Sequence, residues 1–113
     1  MDKVKVYIGI YKIVKGIPKG KVGTYSQVAV LVTKILKDKK TKKVSARIVG
    51  FALHVNPGPK NIPCHRVVKT DGGLARGYAF GGREKQKKRL MDEGVRFVGE
   101  YKVDMKKCLW RSS

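Results

Sequence analysis

A cysteine and a histidine stand side by side in the segment Pro63-Cys64-His65-Arg66. The nucleophile of cysteine chemistry is the thiolate, and a nearby imidazole or cation lowers the pKa of the thiol enough to populate it. Both kinds of neighbour follow Cys64 directly, and prolines at positions 57, 59 and 63 restrict the backbone around it. The segment therefore predicts an activated, accessible thiol in a loop of fixed shape.

Other interpretations of the Cys-His pair stay open at this point. Free cysteine is among the most buried residue types, so a core role for Cys64 and a structural role for His65 explain the dipeptide, taken alone, at least as well. A metal site is disfavoured, because the two adjacent residues lack ligand spacing and the chain's other Cys and His are the lone Cys108 and His54.

Positive charge dominates the composition. The chain of 113 residues carries 27 Lys and Arg against 8 Asp and Glu, a formal net charge of +19. Charge of this size repels itself in the folded state and is usually tolerated because the partner is a polyanion. We therefore expect a nucleic-acid partner rather than a generic solvated surface, and one domain over residues 1–113.

Cysteine usage and hydropathy bear on the compartment. Two cysteines in unlike settings do not make a disulfide framework, which fits a reducing compartment. No apolar run approaches membrane-spanning length, and the N-terminus lacks a signal-peptide pattern. These observations predict a cytoplasmic protein with no membrane partner.

Two helices lie upstream of the cysteine and could position it. The first begins at Thr24, which has capping-box spacing with Gln27. Its apolar residues recur at helical period: Val28, Leu31, Val32, Ile35 and Leu36. The second spans roughly residues 44–55, and its expected buried side is Val44, Ile48, Phe51, Ala52 and Val55. The basic run at 37–43 between them is expected to be an exposed turn.

The opposite side of the second helix is basic and carries a glycine. It consists of Lys43, Arg47, Gly50 and His54. Two helices joined by a short turn, the second with a basic outer face, are what a helix-turn-helix needs to place its recognition helix in a DNA groove. A solvated face explains the charges equally well, but it explains Gly50 poorly, since a mid-helix glycine costs about 1 kcal/mol relative to alanine.

The remaining segments predict a mainly α fold with a small β element, a helix-turn-helix or winged-helix-like domain of three helices. Residues 4–14 fit a strand or a helix, with Tyr7, Ile10, Tyr11 and Val14 on the helical stripe. Downstream we expect a short strand at 67–68, a turn at 70–73, a glycine-flanked aromatic loop at 77–82, a helix at 83–93 ending at Gly94, and a tail that packs back through Phe97, Val98, Tyr101, Val103 and Trp110.

Pro63-Cys64-His65-Arg66-Val67-Val68 is similar to the acceptor-cysteine motif of the O6-alkylguanine-DNA alkyltransferases, also called methylated-DNA–protein-cysteine methyltransferases. Further matches run in order from about Tyr11 to Phe97. Residues 23–29 resemble the family's first helix-turn-helix segment, 46–50 its recognition helix, 56–57 its Asn-containing hinge, 77–81 its active-site loop and 93–94 its acidic residue on the last helix.

This resemblance implies a catalytic set. Cys64 would attack the alkyl carbon on guanine O6 and keep the group as a thioether. His65 would act as base through a water, and Glu93 would orient it. Tyr25 would pass a proton to the leaving guanine, and Asn56 would tie the recognition helix to the Cys64 loop.

The resemblance also implies a DNA surface and a base pocket. Arg47 would fill the gap in the base stack, and Gly50 would allow close approach, with Tyr25, Lys43 and Ala46 beside them. Val67, Tyr78, Ala79 and Phe80 would surround the flipped base. The partner would be double-stranded DNA containing O6-alkylguanine. One monomer would repair one lesion, without metal or diffusible cofactor.

Several positions depart from the family's pattern. The family usually carries an N-terminal domain before this one, for which 113 residues leave no room. His54-Val55 replaces a frequent Arg-Gly, and Ala79 stands where some members have Ser. Phe80 is bulky where others have Gly, which predicts poor use of large substrates such as O6-benzylguanine.

Two rival functions remain. An alkyltransferase-like protein binds the lesion without accepting the alkyl group, but in that group the cysteine is typically replaced, whereas Cys64 is present here. A helix-turn-helix protein that only binds DNA would not require Tyr25, Arg47, Cys64 and Glu93 together.

Overall fold

The structure is a computed structural model that describes residues 3–36, 43–56, 61–78 and 80–111. Within them the elements follow in the order α1 (Lys3–Lys15), β1 (Gly23–Thr24), α2 (Tyr25–Leu36), α3 (Ala46–His54), a 3-10 turn (Cys64–Arg66), β2 (Val67–Val68), α4 (Gly82–Asp92), β3 (Phe97–Gly99), β4 (Lys102–Val103) and α5 (Met105–Cys108). The predicted mainly α class with a small β element is confirmed. Among these helices none is long and apolar enough to cross a membrane.

The N-terminal segment that fitted both a strand and a helix is helical. Val6, Ile10 and Val14 are buried at spacings of four residues, whereas Val4 and Ile8, which a strand would bury with them, are exposed. The buried stripe joins the core formed with α2 and α3, so tertiary packing decides between the two periods.

Helix α2 begins with the predicted capping box. The backbone N–H of Gln27 donates to Thr24 Oγ1 at 3.0 Å, and the N–H of Thr24 donates to Gln27 Oε1 at 3.2 Å. Val28, Ala29 and Val32 form its buried face. The prediction that Ile35 is buried was wrong, since it is 53% exposed near the end of the helix.

Helix α3 is shorter than predicted, and its apolar face is rotated. Ser45 caps it, because Ser45 Oγ accepts from the N–H of Ile48 at 3.2 Å. The predicted Val44 is buried but precedes the helix. Because the buried side of the helix was predicted by helical spacing from Val44, part of it was assigned wrongly. Val49, Ala52 and Leu53 are buried, while Phe51 and Val55 are 53% and 59% exposed. The basic face is outside as expected, with Lys43, Arg47 and His54 exposed.

Helix α4 ends where the sequence indicated. Glu93 is its C-cap residue, and Gly94 follows with φ of +88°, the left-handed region in which glycine is favoured. The tail then forms an antiparallel hairpin of β3 and β4, which the sequence did not predict. Its predicted packing is confirmed for Val103 and Trp110 and wrong for Val98, which is 64% exposed.

The 3-10 turn lies where two apolar cores meet. Cys64 and Val67 belong to the core of α1, α2 and α3, and Val68 belongs to the core of α4 and the C-terminal hairpin. The predicted strand at Val67–Val68 is confirmed and pairs in parallel with β1, directly before α2. The turn is therefore held between the helix-turn-helix and α4.

Candidate active site

Cys64 opens onto a cavity of about 400 Å³, which we call the front cavity. It lies between α2, α3, the aromatic loop and α4, and its lining includes Tyr25, Ala46, Arg47, Gly50, Cys64 and Tyr78. Its size falls within the range of small-ligand sites. The lining runs from Tyr25 to Gln86, so the fold brings together, around one thiol, residues that are up to 61 positions apart (86 − 25) in the chain.

The expectation of an accessible, acidified thiol was wrong. Cys64 is only 5% exposed. Burial raises the pKa of its thiol, and a hydrogen bond from the Asn56 side chain and the charge of Arg89 oppose that rise without overcoming it. Arg66, the adjacent cation, does not contribute because its charge is matched by Glu93. The side chain of Cys64 is therefore a neutral thiol near pH 7.

His65 is buried next to Cys64 and pairs with a carboxylate. Its Nε2 lies 3.0 Å from Glu93 Oε1. Burial would raise the pKa of Glu93, but hydrogen bonds from Arg66 and His65 outweigh it and hold the pKa below its ordinary value, so Glu93 is a carboxylate. Nε2 must then carry the proton that is donated, which leaves the lone pair on Nδ1.

The other ring nitrogen of His65 is unused within the described part of the chain. Nδ1 is buried and has no hydrogen-bond partner there. Burial lowers the pKa of His65 despite the opposing effect of Glu93, so the imidazole is neutral near pH 7. A neutral imidazole with a free lone pair can accept a proton.

A set of hydrogen bonds among His65, Arg66, Gln86 and Glu93, here called the rear network, fixes the 3-10 turn. His65, Arg66 and Glu93 line a polar cleft separate from the front cavity, whereas Gln86 lines the front cavity. Arg66 Nε and Nη2 donate to the two carboxylate oxygens of Glu93 at 3.0 and 2.7 Å, and Nη1 donates to the carbonyl of Ile17 at 2.8 Å. This bidentate pair ties the turn to both the end of α1 and the end of α4.

Gln86 completes the rear network, and the sequence analysis missed it. Its Nε2 donates to the carbonyl oxygens of His65 at 3.0 Å and Val67 at 3.2 Å, from a buried position on α4. A signal was present: Gln86 and Leu90 are four residues apart and uncharged on a helix that is otherwise strongly charged. Arg66 in its pairing role and Arg89 were also missed.

Asn56 links α3 to the turn. Its Nδ2 donates to the carbonyl of Ile62 at 2.8 Å, two residues before Cys64. The side chain also reaches the Cys64 thiol. Its placement matches the tie that the resemblance implies, and Pro57 and Pro59 lie outside the described residues.

The DNA-facing candidates lie on one side of the front cavity. Tyr25 is half-buried at the start of α2, and burial followed by the proximity of Cys64 raises the pKa of its hydroxyl. Arg47 is exposed, with its guanidinium 5.5 Å from the centre of the Phe51 ring. A Cβ at Gly50 would meet no atom within 4 Å. Ala46 is half-buried at the cavity, and Lys43 is exposed just before the Ser45 cap.

The candidates for the base pocket are distributed differently. Tyr78 lines the cavity, and its hydroxyl accepts from Arg89 Nη1 at 2.8 Å. The Phe80 ring packs edge-on against Tyr78 with ring centres 5.7 Å apart. Val67 is fully buried, with its carbonyl bonded to Gln86. Ala79 lies outside the described residues. Within the described residues, no cluster of three or more His, Cys, Asp or Glu could hold a metal ion.

These features define a DNA-binding domain with a cysteine site. Residues 5–95 match the family model described as 6-O-methylguanine DNA methyltransferase, DNA binding domain. The chain belongs to this family, as its resemblance suggested.

Two of its relatives differ in how much of their own length this chain covers. It is 34% identical over 110 residues to alkyltransferase-like protein 1 of Schizosaccharomyces pombe, covering 93% of this chain and 94% of that protein. It is 40% identical over 92 residues to a methylated-DNA–protein-cysteine methyltransferase of Methanothermobacter thermautotrophicus, covering 80% of this chain but 45% of that protein. The chain thus spans less than half of this methyltransferase.

Solved structures show the same division. A crystal structure of the S. pombe protein Atl1 in complex with damaged DNA containing O6-carboxymethylguanine matches with a TM-score of 0.80 at 31% identity, covering 99% of this chain and 100% of that one. The O6-methylguanine-DNA methyltransferase of Pyrococcus kodakaraensis matches with a TM-score of 0.55 at 38% identity, covering 82% and 46%.

Proposed function

We propose that this protein repairs O6-alkylguanine in double-stranded DNA by taking the alkyl group onto Cys64. The observation that carries the proposal is the position of the thiol, which opens onto the front cavity beside the recognition helix while the neutral imidazole of His65 is buried next to it. The family membership and the methyltransferase relatives support the same reaction class.

The reaction needs one proton relay and one bond exchange. His65 Nδ1 accepts the thiol proton through a solvent molecule, and Glu93 balances the imidazolium that forms. The Cys64 sulfur attacks the alkyl carbon, forming a C–S bond as the C–O6 bond breaks. The guanine ring gains the negative charge and takes a proton from the Tyr25 hydroxyl, and the imidazolium returns the thiol proton through solvent to the Tyr25 oxygen, so both side chains end neutral. The thioether does not leave again, so each molecule acts once.

Access to the lesion requires base flipping. O6 of a paired guanine lies inside the duplex, and extruding the nucleotide costs a few kcal/mol, less where the lesion already weakens pairing. Arg47 stands at the cavity mouth on the exposed face of α3, where it would fill the vacated stack. Open space at Gly50 allows the DNA backbone to come close. The net charge of +19 favours the encounter.

A second candidate is lesion binding without transfer. It is favoured by the alkyltransferase-like relative, which this chain matches along nearly its whole length and which has been crystallised with damaged DNA. Cys64 in the front cavity favours transfer.

Intact mass distinguishes the two. The protein is incubated with a duplex containing one O6-methylguanine, with Cys64→Ala as the control. Transfer replaces the thiol hydrogen by methyl, so we expect a gain of one methylene mass in the wild type and none in the control. Tight, lesion-selective binding with no mass gain would overturn the transfer proposal and leave the second candidate.

A further inference from the structure

Two arginines line the same polar cleft as His65, and among the described residues only one of them pairs with a carboxylate. Arg66 uses Nε and Nη2 on the Glu93 carboxylate and Nη1 on the Ile17 carbonyl. Its guanidinium is fully engaged, and the paired charges largely cancel at a distance. The cation that adjoins Cys64 in sequence is therefore not the one that acts on it.

Arg89 is the second arginine, and it lies on α4, 25 residues (89 − 64) after the cysteine. It is half-buried and lines a polar cleft on the rear side of His65, together with Lys15, Lys19 and Glu93. Its Nη1 donates to the Tyr78 hydroxyl at 2.8 Å. It forms no ion pair with a carboxylate of the described residues. Arg89 thus brings an unmatched positive charge next to the catalytic turn.

We propose that Arg89 is a positioning residue with two effects, holding the aromatic loop through Tyr78 and supplying the unmatched positive charge that favours the Cys64 thiolate. The proposal rests on the proposed function of the front cavity. By this proposal, the cation that favours the thiolate is Arg89 on α4 rather than Arg66 in the motif around the cysteine.

Electrostatic coupling supports the geometry. The charge of Arg89 lowers the pKa of Cys64 against the larger effect of burial. Burial is the main cause of the lowered pKa of His65, and the charge of Arg89 adds to it. The other titratable or charged groups around the thiol come from α1, α2, α3 and the aromatic loop: Tyr11, Tyr25, Arg47, His54 and Tyr78. The three tyrosine hydroxyls are neutral near pH 7, because their pKa values are raised.

The loop contact supplies the second effect. Tyr78 lines the front cavity and packs on Phe80, so a bond to its hydroxyl restrains the loop that would close over a base. A charge-assisted donor is stronger than a neutral one. Releasing it would leave the loop to be ordered at the time of binding, which lowers affinity.

The first test is thiol reactivity, which does not depend on alkyl transfer. Iodoacetamide labelling of Cys64 is followed against pH by peptide mass, which separates it from Cys108. Arg89→Gln is compared with Lys88→Gln, which removes the same charge from an exposed position on the same helix. The midpoint of the curve of labelling rate against pH reports the pKa of the thiol. We expect this midpoint to lie at higher pH in Arg89→Gln, and labelling below it to be roughly threefold slower. Equal midpoints in the two variants would overturn the electrostatic role.

The second test isolates the loop contact in variants that keep a charge at position 89. Arg89→Lys and Tyr78→Phe are combined in a double-mutant cycle on the rate of transfer from lesion duplex. We expect the double variant to be no slower than the slower single variant, because both break one bond. Additive losses would overturn the positioning role. If neither the wild type nor any variant transfers an alkyl group, the proposed function is wrong. The labelling experiment still shows whether the charge of Arg89 acts on Cys64.

Discussion

The front cavity and the rear network meet at the same three-residue turn and use their polar groups differently. In the rear network three nitrogens of Arg66 donate to Glu93 and Ile17, and Gln86 Nε2 donates to the carbonyls of His65 and Val67. In the front cavity the Cys64 thiol lines the wall, the Arg47 side chain is exposed and open space adjoins Gly50. Groups held by several hydrogen bonds keep the turn in place, whereas groups that line the cavity remain available to a ligand.

His65 adjoins Cys64 and also belongs to the rear network, so its replacement should reduce the rate of alkyl transfer more than any other change considered below. His65→Gln removes the base, so we expect transfer to slow by about 10²–10⁴-fold. The pH profile separates this from misfolding. With a lowered His65 pKa and a raised Cys64 pKa, the wild-type rate should be flat between the two values. The variant should instead rise about tenfold per pH unit, as the thiolate fraction does.

Parallel pH profiles in the two proteins would contradict the base role. Circular dichroism melts serve as the control, because the side chain of Gln can still donate to Glu93.

Arg66→Met tests the rear network alone. It removes the bidentate bond to Glu93 and the bond to Ile17, so we expect the free energy of unfolding to fall by about 2 kcal/mol. Urea titration measures it. Lys88→Met is the matched control, since its 3.5 Å pair with Asp92 is highly exposed and worth little. A loss no greater than that of the control would show that the network does not hold the turn.

Gly50→Ala tests the front cavity alone and should separate binding from stability. Apart from its own helix, the added methyl meets no atom of the described residues within 4 Å, so helix propensity should make the fold more stable by up to about 1 kcal/mol. Binding to duplex should weaken, because the methyl group occupies the space that DNA would approach. Thermal melts and fluorescence anisotropy measure the two effects. Unchanged affinity would remove the case for close approach at Gly50.

Acid should weaken the rear network before it affects the front cavity, and this is the smallest effect expected. The folded pKa of Glu93 lies below its ordinary value of 4.5. Its contribution to stability is therefore complete above that value and is lost as the pH falls through the folded pKa. Denaturant titrations between pH 7 and pH 3 should show that the free energy of unfolding falls more steeply with falling pH for the wild type than for Glu93→Gln. An equal pH dependence in the two proteins would mean that the ionised form of Glu93 is not stabilised in the folded state.

How much was visible in the sequence differs between these two regions. The capping box of Thr24 and Gln27, the end of α4 at Gly94 and the strand at Val67–Val68 follow local rules, and the structure confirms them. The buried face of α3 was predicted wrongly because the helix, capped by Ser45, begins at Ala46, two residues after the predicted start at Val44.

The family was recognised by its motif, but the electrostatics around Cys64 could not be predicted from the residues adjacent to it in sequence. Arg66 beside Cys64 suggested an acidified thiol, yet its charge is matched by Glu93, 27 residues away. Gln86 and Arg89 carry no motif, and their contacts follow only from the docking of α4 on the turn. Contacts between elements that are distant in sequence therefore determine which arginine is paired with a carboxylate and which is not.

Counting repaired lesions tests the central claim most directly. The protein is held at a fixed concentration with an excess of duplex carrying one O6-methylguanine, and remaining lesions are measured until the reaction stops. The expected result is a plateau at one lesion lost per protein molecule, with no loss for Cys64→Ala. No loss at all, or loss that continues past one per molecule, would contradict irreversible transfer to Cys64.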